Sequence, residues 1–143
     1  MSVRKITTRS HQRTRQDHST ELAEDYVEAI AEMTAGDAVC RVVDLARRFA
    51  VSHVTVNRAV ARLERDGLVS TQPYAPVELT AKGRRMATAA RERHEVVYAF
   101  LKALGVSDET AAVDAEGIEH HVSPETLKLM EHFATRNARN TAS

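Results

Sequence analysis

Two acidic segments and one histidine hold the residue types that bind a divalent cation. In "DAEGIEHH", Glu116, Glu119 and His120 are spaced i, i+3 and i+4. On a helix this puts two carboxylates and an imidazole on one face. Gly117 beside them weakens a helix by about 1 kcal/mol against alanine, which points to close backbone approach or a bend there. Nearer the N-terminus, Glu21, Asp25, Glu28 and Glu32 recur at helical spacing. Like charges so placed cost an isolated helix about 0.2–0.5 kcal/mol per pair. No Lys or Arg stands between Arg15 and Arg41 to offset them. The helix dipole excuses only first-turn acids, so a bound cation is one way to relieve the rest. His94, in "RERHEVV", could complete such a shell. Any one of these residues alone reads as an exposed polar group; their combination points to a site. An oxygen-rich shell without sulfur suits Mn²⁺ or Fe²⁺, and Zn²⁺ competes by its intrinsic affinity.

A second constellation suits nucleic acid. "VVDLARRFAVSHVTVNRAVARLERDGLV" reads as two short helices joined by the turn Ala50-Val51-Ser52, with a hairpin after them. This is the pattern of a winged helix-turn-helix. Val51 is expected to pack between the helices. Ser52 caps the second helix, whose N-terminal end would offer Ser52, His53, Thr55, Asn57 and Arg58 to a major groove. Asn57 and Arg58 suit base edges or phosphates, and Ser52 and Thr55 suit phosphates. Arg62, with Arg47, Arg48 and Arg65, supplies positive field. The hairpin segment "STQPYAPVE" contains no Lys or Arg, so it is a poor phosphate binder unless Tyr74 makes a contact.

These groups need elements to hold them. The spacing predicts a mobile basic arm over 1–18 and a helix from Ser19 or Thr20 to Gly36, buried through Leu22, Tyr26, Ile30 and Met33. Helices follow at about 42–50 and 53–66, then the irregular hairpin 68–79. A long helix runs from Thr80 to Leu104, another from Ser107 to about His121, and a last one opens at Ser123-Pro124 and runs to about Thr135. The fold class is mostly α. A winged helix-turn-helix domain over 19–80 precedes a helical metal-binding and dimerisation domain over 81–143.

The chain has 143 residues, with 20 Lys+Arg balanced by 20 Asp+Glu. A chain of this size buries roughly 68–70% of its unfolded surface, so it needs no disulfide simply to fold. The neutral total conceals alternating blocks: net +4 over 1–20, −6 over 21–40, +6 over 41–102 and −6 over 103–135. Such blocks suit an anionic polymer and cations as separate partners, although solvated helix faces give the same arithmetic. No apolar run approaches a membrane span, no secretory signal is expected, and the single cysteine, Cys40, fits a reducing cytoplasm. Cys40 is expected to be a small apolar filler between the first two helices.

The segments "DYVEAI", "LTAKGRR", "RERHEVVYAFLKALGVS" and "DAEGIEHHVSPETL", together with the helix-turn-helix, resemble the manganese-responsive branch of the diphtheria-toxin-repressor family. The resemblance covers nearly everything after residue 20, and "EGIEHHVS" is its most specific part. It implies a homodimer that binds a palindromic operator in double-stranded DNA. Position by position, it implies the metal ligands Asp25, Glu28, His94, Glu116, Glu119 and His120. The carboxylate at Glu116 is that of the manganese branch, where the iron branch has sulfur. Val97 and Tyr98 replace the acid that serves a second metal in some relatives, and Ala75-Pro76 replaces a basic-glycine pair in the wing.

The expected function is therefore a metal-dependent transcription regulator, a repressor of metal-uptake genes, with metal bridging its two domains. Two half-sites about 34–36 Å apart would then be read only in the metal-bound dimer. An iron- or zinc-responsive regulator and a metal-independent regulator answering a small molecule are the alternatives. A metallohydrolase lacks support: the sequence has no His-Glu-x-x-His motif and no nucleophile beside a base. A purely structural dimerisation module would leave the helix-turn-helix unexplained.

Overall fold

The computed structural model describes the backbone of residues 8–141 and the side chains of residues 18–140. In chain order it contains α1 (Thr8–Met33), α2 (Val42–Phe49), α3 (His53–Arg65), β1 (Val69–Ser70), β2 (Glu78–Leu79), α4 (Ala81–Ala103), α5 (Asp108–Ile118) and α6 (Pro124–Thr141). The chain divides into two compact units, Met1–Arg84 and Arg85–Ser143.

In the first unit α1 begins at Thr8, not at Ser19 or Thr20. The expected arm over 1–18 is therefore helical from Thr8, and its first seven residues lie outside the described chain. Nothing before Gly36 breaks the helix, because residues 1–35 contain neither proline nor glycine. Apolar periodicity marks where a helix is buried, not where it starts. The buried arc of α1 is Tyr26, Val27, Ala29 and Ile30; Leu22, expected to face inward, is 44% exposed. Tyr26 stacks on Phe49 of α2 with ring centroids 4.4 Å apart.

Ala50 terminates α2 in the left-handed region, at φ 53°, and the Val51 N–H donates back to the Ala46 carbonyl at 3.1 Å. Ser52 then caps α3, accepting the Thr55 N–H at 3.1 Å. Leu45 and Ala46 pack with Val56, Val60 and Leu63 as the core of this pair. Val51, expected to pack between the helices, is 37% exposed and not among the buried residues of this pair.

The hairpin is antiparallel, with Val69 opposite Leu79 and Ser70 opposite Glu78. An isolated bridge joins its base to the α1–α2 loop, where the Val77 N–H donates to the Cys40 carbonyl at 2.8 Å. Cys40 is fully buried there, its thiol toward Met33 Sδ at 3.6 Å. The first turn of α4 closes this compact unit, which extends to Arg84. Thr80 Oγ1 donates to the Gly67 carbonyl at 2.6 Å and accepts the Gly83 N–H at 3.1 Å. A Cβ on Gly83 would lie 2.0 Å from the Leu68 carbonyl oxygen, so only glycine permits this approach.

The second unit is built around Val97, Leu101, Ala111 and Ala115, with Tyr98, Phe100, Val106, Val122, Leu127 and Met130 packed against them. Ser107 caps α5, accepting the Thr110 N–H at 3.4 Å, and Ser123 accepts the Thr126 N–H at 3.2 Å at the start of α6. Two boundaries differ from those expected. Helix α5 ends at Ile118, not near His121, and a turn over 119–121 follows before the cap Ser123. Helix α6 runs on to Thr141, since no glycine or proline follows Pro124.

Candidate metal centre and nucleic-acid interface

Within the second unit the structure gathers three of the expected ligands. Glu119 caps the C-terminus of α5 and is 2% exposed. His94 Nδ1, from α4, lies 2.8 Å from Glu119 Oε2, and His120 Nε2 lies 3.4 Å from Oε1. The His120 side chain is also 2% exposed, while His94 is half-buried. A buried carboxylate between two imidazoles is costly unless charge is compensated. These donors, two nitrogens and carboxylate oxygens, fit a divalent cation of borderline hardness.

Glu116 lies on the exposed side of α5, one turn before Glu119. Glu116, Glu119 and His120 do not share the one helix face that their spacing predicts. His120 lies beyond the helix, in a turn where the His121 N–H donates to the Ile118 carbonyl at 3.0 Å. The turn still delivers the imidazole to Glu119, so the grouping survives by another route.

Asp25 and Glu28 belong to the first unit, half-buried and three residues apart on α1. Glu32 does not need a cation, because Arg48 of α2 pairs with its carboxylate. The sequence spacing exposed the like charges, but this partner comes from another helix.

Arg93 was not anticipated. Its Nε–H donates to the Glu119 carbonyl at 3.2 Å. A guanidinium at a helix C-terminus satisfies a carbonyl that lacks an intrahelical partner and complements the helix dipole. It thereby fixes the backbone of the central carboxylate. Nothing in "RERH" distinguishes this arginine from its neighbour Arg91, which pairs with Glu95 on the same helix at 3.3 Å.

In the first unit His53, Asn57, Arg58 and Arg62 are exposed on α3. Ser52 and Thr55 are exposed too, with their hydroxyl oxygens 3.0 Å apart in the cap, so both are partly engaged within the turn. Arg47 and Arg48 are exposed on α2. An anion approaching the start of α3 meets these side chains and the positive end of the helix dipole.

Comparison with known proteins also divides the chain in two, a few residues before the boundary between the compact units. Residues 18–77 match the family model of the iron-dependent repressor N-terminal DNA-binding domain, and residues 80–140 match that of the iron-dependent repressor metal-binding and dimerisation domain. This chain belongs to the iron-dependent repressor family. Within that family it is 45% identical over 123 residues to the transcriptional regulator MntR of Escherichia coli O6:H1, covering 86% of this chain and 79% of that protein. It is 33% identical over 125 residues to the HTH-type transcriptional regulator MntR of Bacillus subtilis, covering 85% of this chain and 88% of the relative. Solved structures of similar fold include the manganese regulator SloR, with TM-score 0.70, 27% identity and coverage of 79% of this chain and 53% of that one. Another is a manganese-dependent transcriptional repressor in complex with manganese, with TM-score 0.67, 30% identity and coverage of 81% and 52%. The chain thus spans about half the length of those two structures. As an iron-dependent repressor it is a DNA-binding regulator with a metal-binding, dimerising second domain. Among its described residues no helix is long and apolar enough to cross a membrane.

Proposed function

We propose that this chain is a manganese-responsive transcriptional repressor. The carrying observation is the buried Glu119 carboxylate held between His94 and His120, inside the part of the chain that matches a metal-binding domain. The names of its relatives, MntR and a manganese-dependent repressor, support manganese as the effector. The full ligand set is proposed as Asp25, Glu28, His94, Glu116, Glu119 and His120. The carboxylates and the absence of sulfur from this set suit Mn²⁺ or Fe²⁺, and the relatives' names point to Mn²⁺. A bound divalent cation supplies positive charge among these acids.

The protein's own groups do the remainder. Glu119 and the two imidazoles present donor atoms, and Arg93 holds the Glu119 backbone. Helix α3 presents Ser52, His53, Thr55, Asn57, Arg58 and Arg62 to an operator. With donors drawn from the DNA-binding part and from the dimerising part, metal and operator affinities are linked and must raise each other by the same factor. A homodimer presents two copies of α3, which calls for a palindromic operator. The proposed setting is the cytoplasm, and the proposed role is regulatory rather than catalytic.

The test is fluorescence anisotropy of labelled DNA from upstream of this protein's gene and of manganese-transporter genes. Binding is measured at fixed salt in EDTA, then with Mn²⁺, Zn²⁺ and anaerobic Fe²⁺. Tight binding only with metal, strongest with Mn²⁺, is expected. Equal binding in EDTA would overturn metal dependence.

A further inference from the structure

Tyr74 stands at the tip of the β1–β2 hairpin with φ 64° and a ring that is 102% exposed. The left-handed region crowds the Cβ of an L residue, and asparagine or glycine occupies it at lower cost. A fully hydrated ring gains nothing from burial in return. The fold of the first unit therefore gives no reason for tyrosine here.

An independent observation gives the position a direction. An open groove of about 520 Å³ runs between the start of α2, one side of α3 and the hairpin. Tyr74 and Gln72 line it together with Asn57, one of the α3 residues placed at the operator. Arg41 and Glu64 in the same wall carry opposite charges, so the groove is not a phosphate clamp. The hairpin, residues 68–79, contains no Lys or Arg and one acid, Glu78. The match to the DNA-binding domain extends to residue 77 and so includes the tip.

We infer that Tyr74 is a DNA-contact residue, its ring packing on the sugars or base edges of the duplex that α3 reads. The contact is uncharged, and it stands where a basic wing would grip phosphate. This rests on the repressor reading above, and it adds a term that salt does not weaken. The occupant is the operator duplex itself; a second protein on this ring is the competing outcome.

The experiment uses the full-length Mn²⁺-loaded protein and a labelled duplex from upstream of its own gene, titrated across a salt series. Tyr74→Asn is expected to weaken binding roughly 5- to 20-fold, as for the partial burial of one aromatic side chain. The slope of log affinity against log salt should not change, because no charge is removed. The melting temperature should rise by about 2–4 °C as the strained backbone relaxes. Tyr74→Phe should bind like wild type. Unchanged affinity of Tyr74→Asn at every salt would overturn the inference and leave the ring to a protein partner. A fall in both affinity and melting temperature would also overturn it, by making the tyrosine structural. Failure of the wild-type protein to bind DNA with Mn²⁺ would instead strike at the repressor reading.

Discussion

His94 Nδ1 lies 2.8 Å from Glu119 Oε2, joining the middle of α4 to the C-terminal cap of α5. The carboxylate is buried, and its other oxygen faces His120. This places Glu119 at the centre of the donor group, with its backbone carbonyl held by Arg93 and each carboxylate oxygen facing an imidazole. Glu119→Gln keeps the shape and removes the negative charge. It should weaken Mn²⁺ binding at least roughly 10–100-fold, the scale set by disturbing even an outer contact of a metal site. Titration calorimetry reads this directly, and circular dichroism should show an intact helical fold. Unaltered Mn²⁺ affinity would remove Glu119 from the ligand set.

Arg93 acts on the same carboxylate through its backbone. Arg93→Met keeps the apolar stem and loses the hydrogen bond to the Glu119 carbonyl. The cost in stability should be about 1 kcal/mol, as for a helix C-terminal cation with a modest hydrogen bond. Bound Mn²⁺ should give a broadened electron paramagnetic resonance spectrum as its donors become less ordered. An unchanged spectrum would mean the arginine serves stability alone.

Recognition and metal binding should separate by mutation. Arg58 is exposed on α3 and lies outside the proposed ligand set. Arg58→Ala should lower operator affinity by about 1–3 kcal/mol if it reads a base, while Mn²⁺ affinity measured without DNA stays the same. Normal operator binding by this variant would displace α3 as the reading helix.

The junction after the hairpin should tolerate no side chain at Gly83. Alanine there meets the Leu68 carbonyl, a backbone atom that cannot rotate away. Gly83→Ala should destabilise the first unit by ~3 kcal/mol or more, at the upper end of overpacking effects. Urea unfolding followed by circular dichroism measures this. A loss below 1 kcal/mol, roughly the lower end of such effects, would show that α4 can shift away from the hairpin.

Cys40 predicts an alkaline transition. Burial first, and the Asp44 carboxylate second, push its thiol from 9.0 up to about 11. The folded state therefore holds its proton where the unfolded state has released it. The resulting stability is fully present below about pH 9 and is lost as pH rises toward 11. Urea midpoints measured from pH 8 to pH 11 should fall over that window, and Cys40→Ala should flatten the fall. A parallel decline in the variant would assign the transition to other groups.

Local chemistry determined much of this protein. Ser52, Ser107 and Ser123 each announce a helix by capping it, and each does so in the structure. The turn after α2, the proline-containing hairpin and the buried spacing of Val56, Val60 and Leu63 are likewise properties of adjacent residues. The types and spacing of Glu116, Glu119, His120 and His94 were enough to nominate a metal site. Helix ends without a breaker were not legible. Nothing in residues 8–18 opposes helix, and no apolar stripe marks it, so periodicity misses the first turns of α1.

Tertiary structure decided what depends on contact between distant segments. It placed Arg48 on Glu32, which removed one reason for a cation, and Arg93 on the Glu119 carbonyl, which no spacing rule indicates. It ended α5 at Ile118 and still brought His120 to Glu119 through a turn. It also held Tyr74 in a left-handed conformation in water. Capping and periodicity act over one or two helical turns and can be read along the chain. Ion-pair partners, close backbone approach and exposure depend on which surfaces meet, and they exist only once the chain has packed.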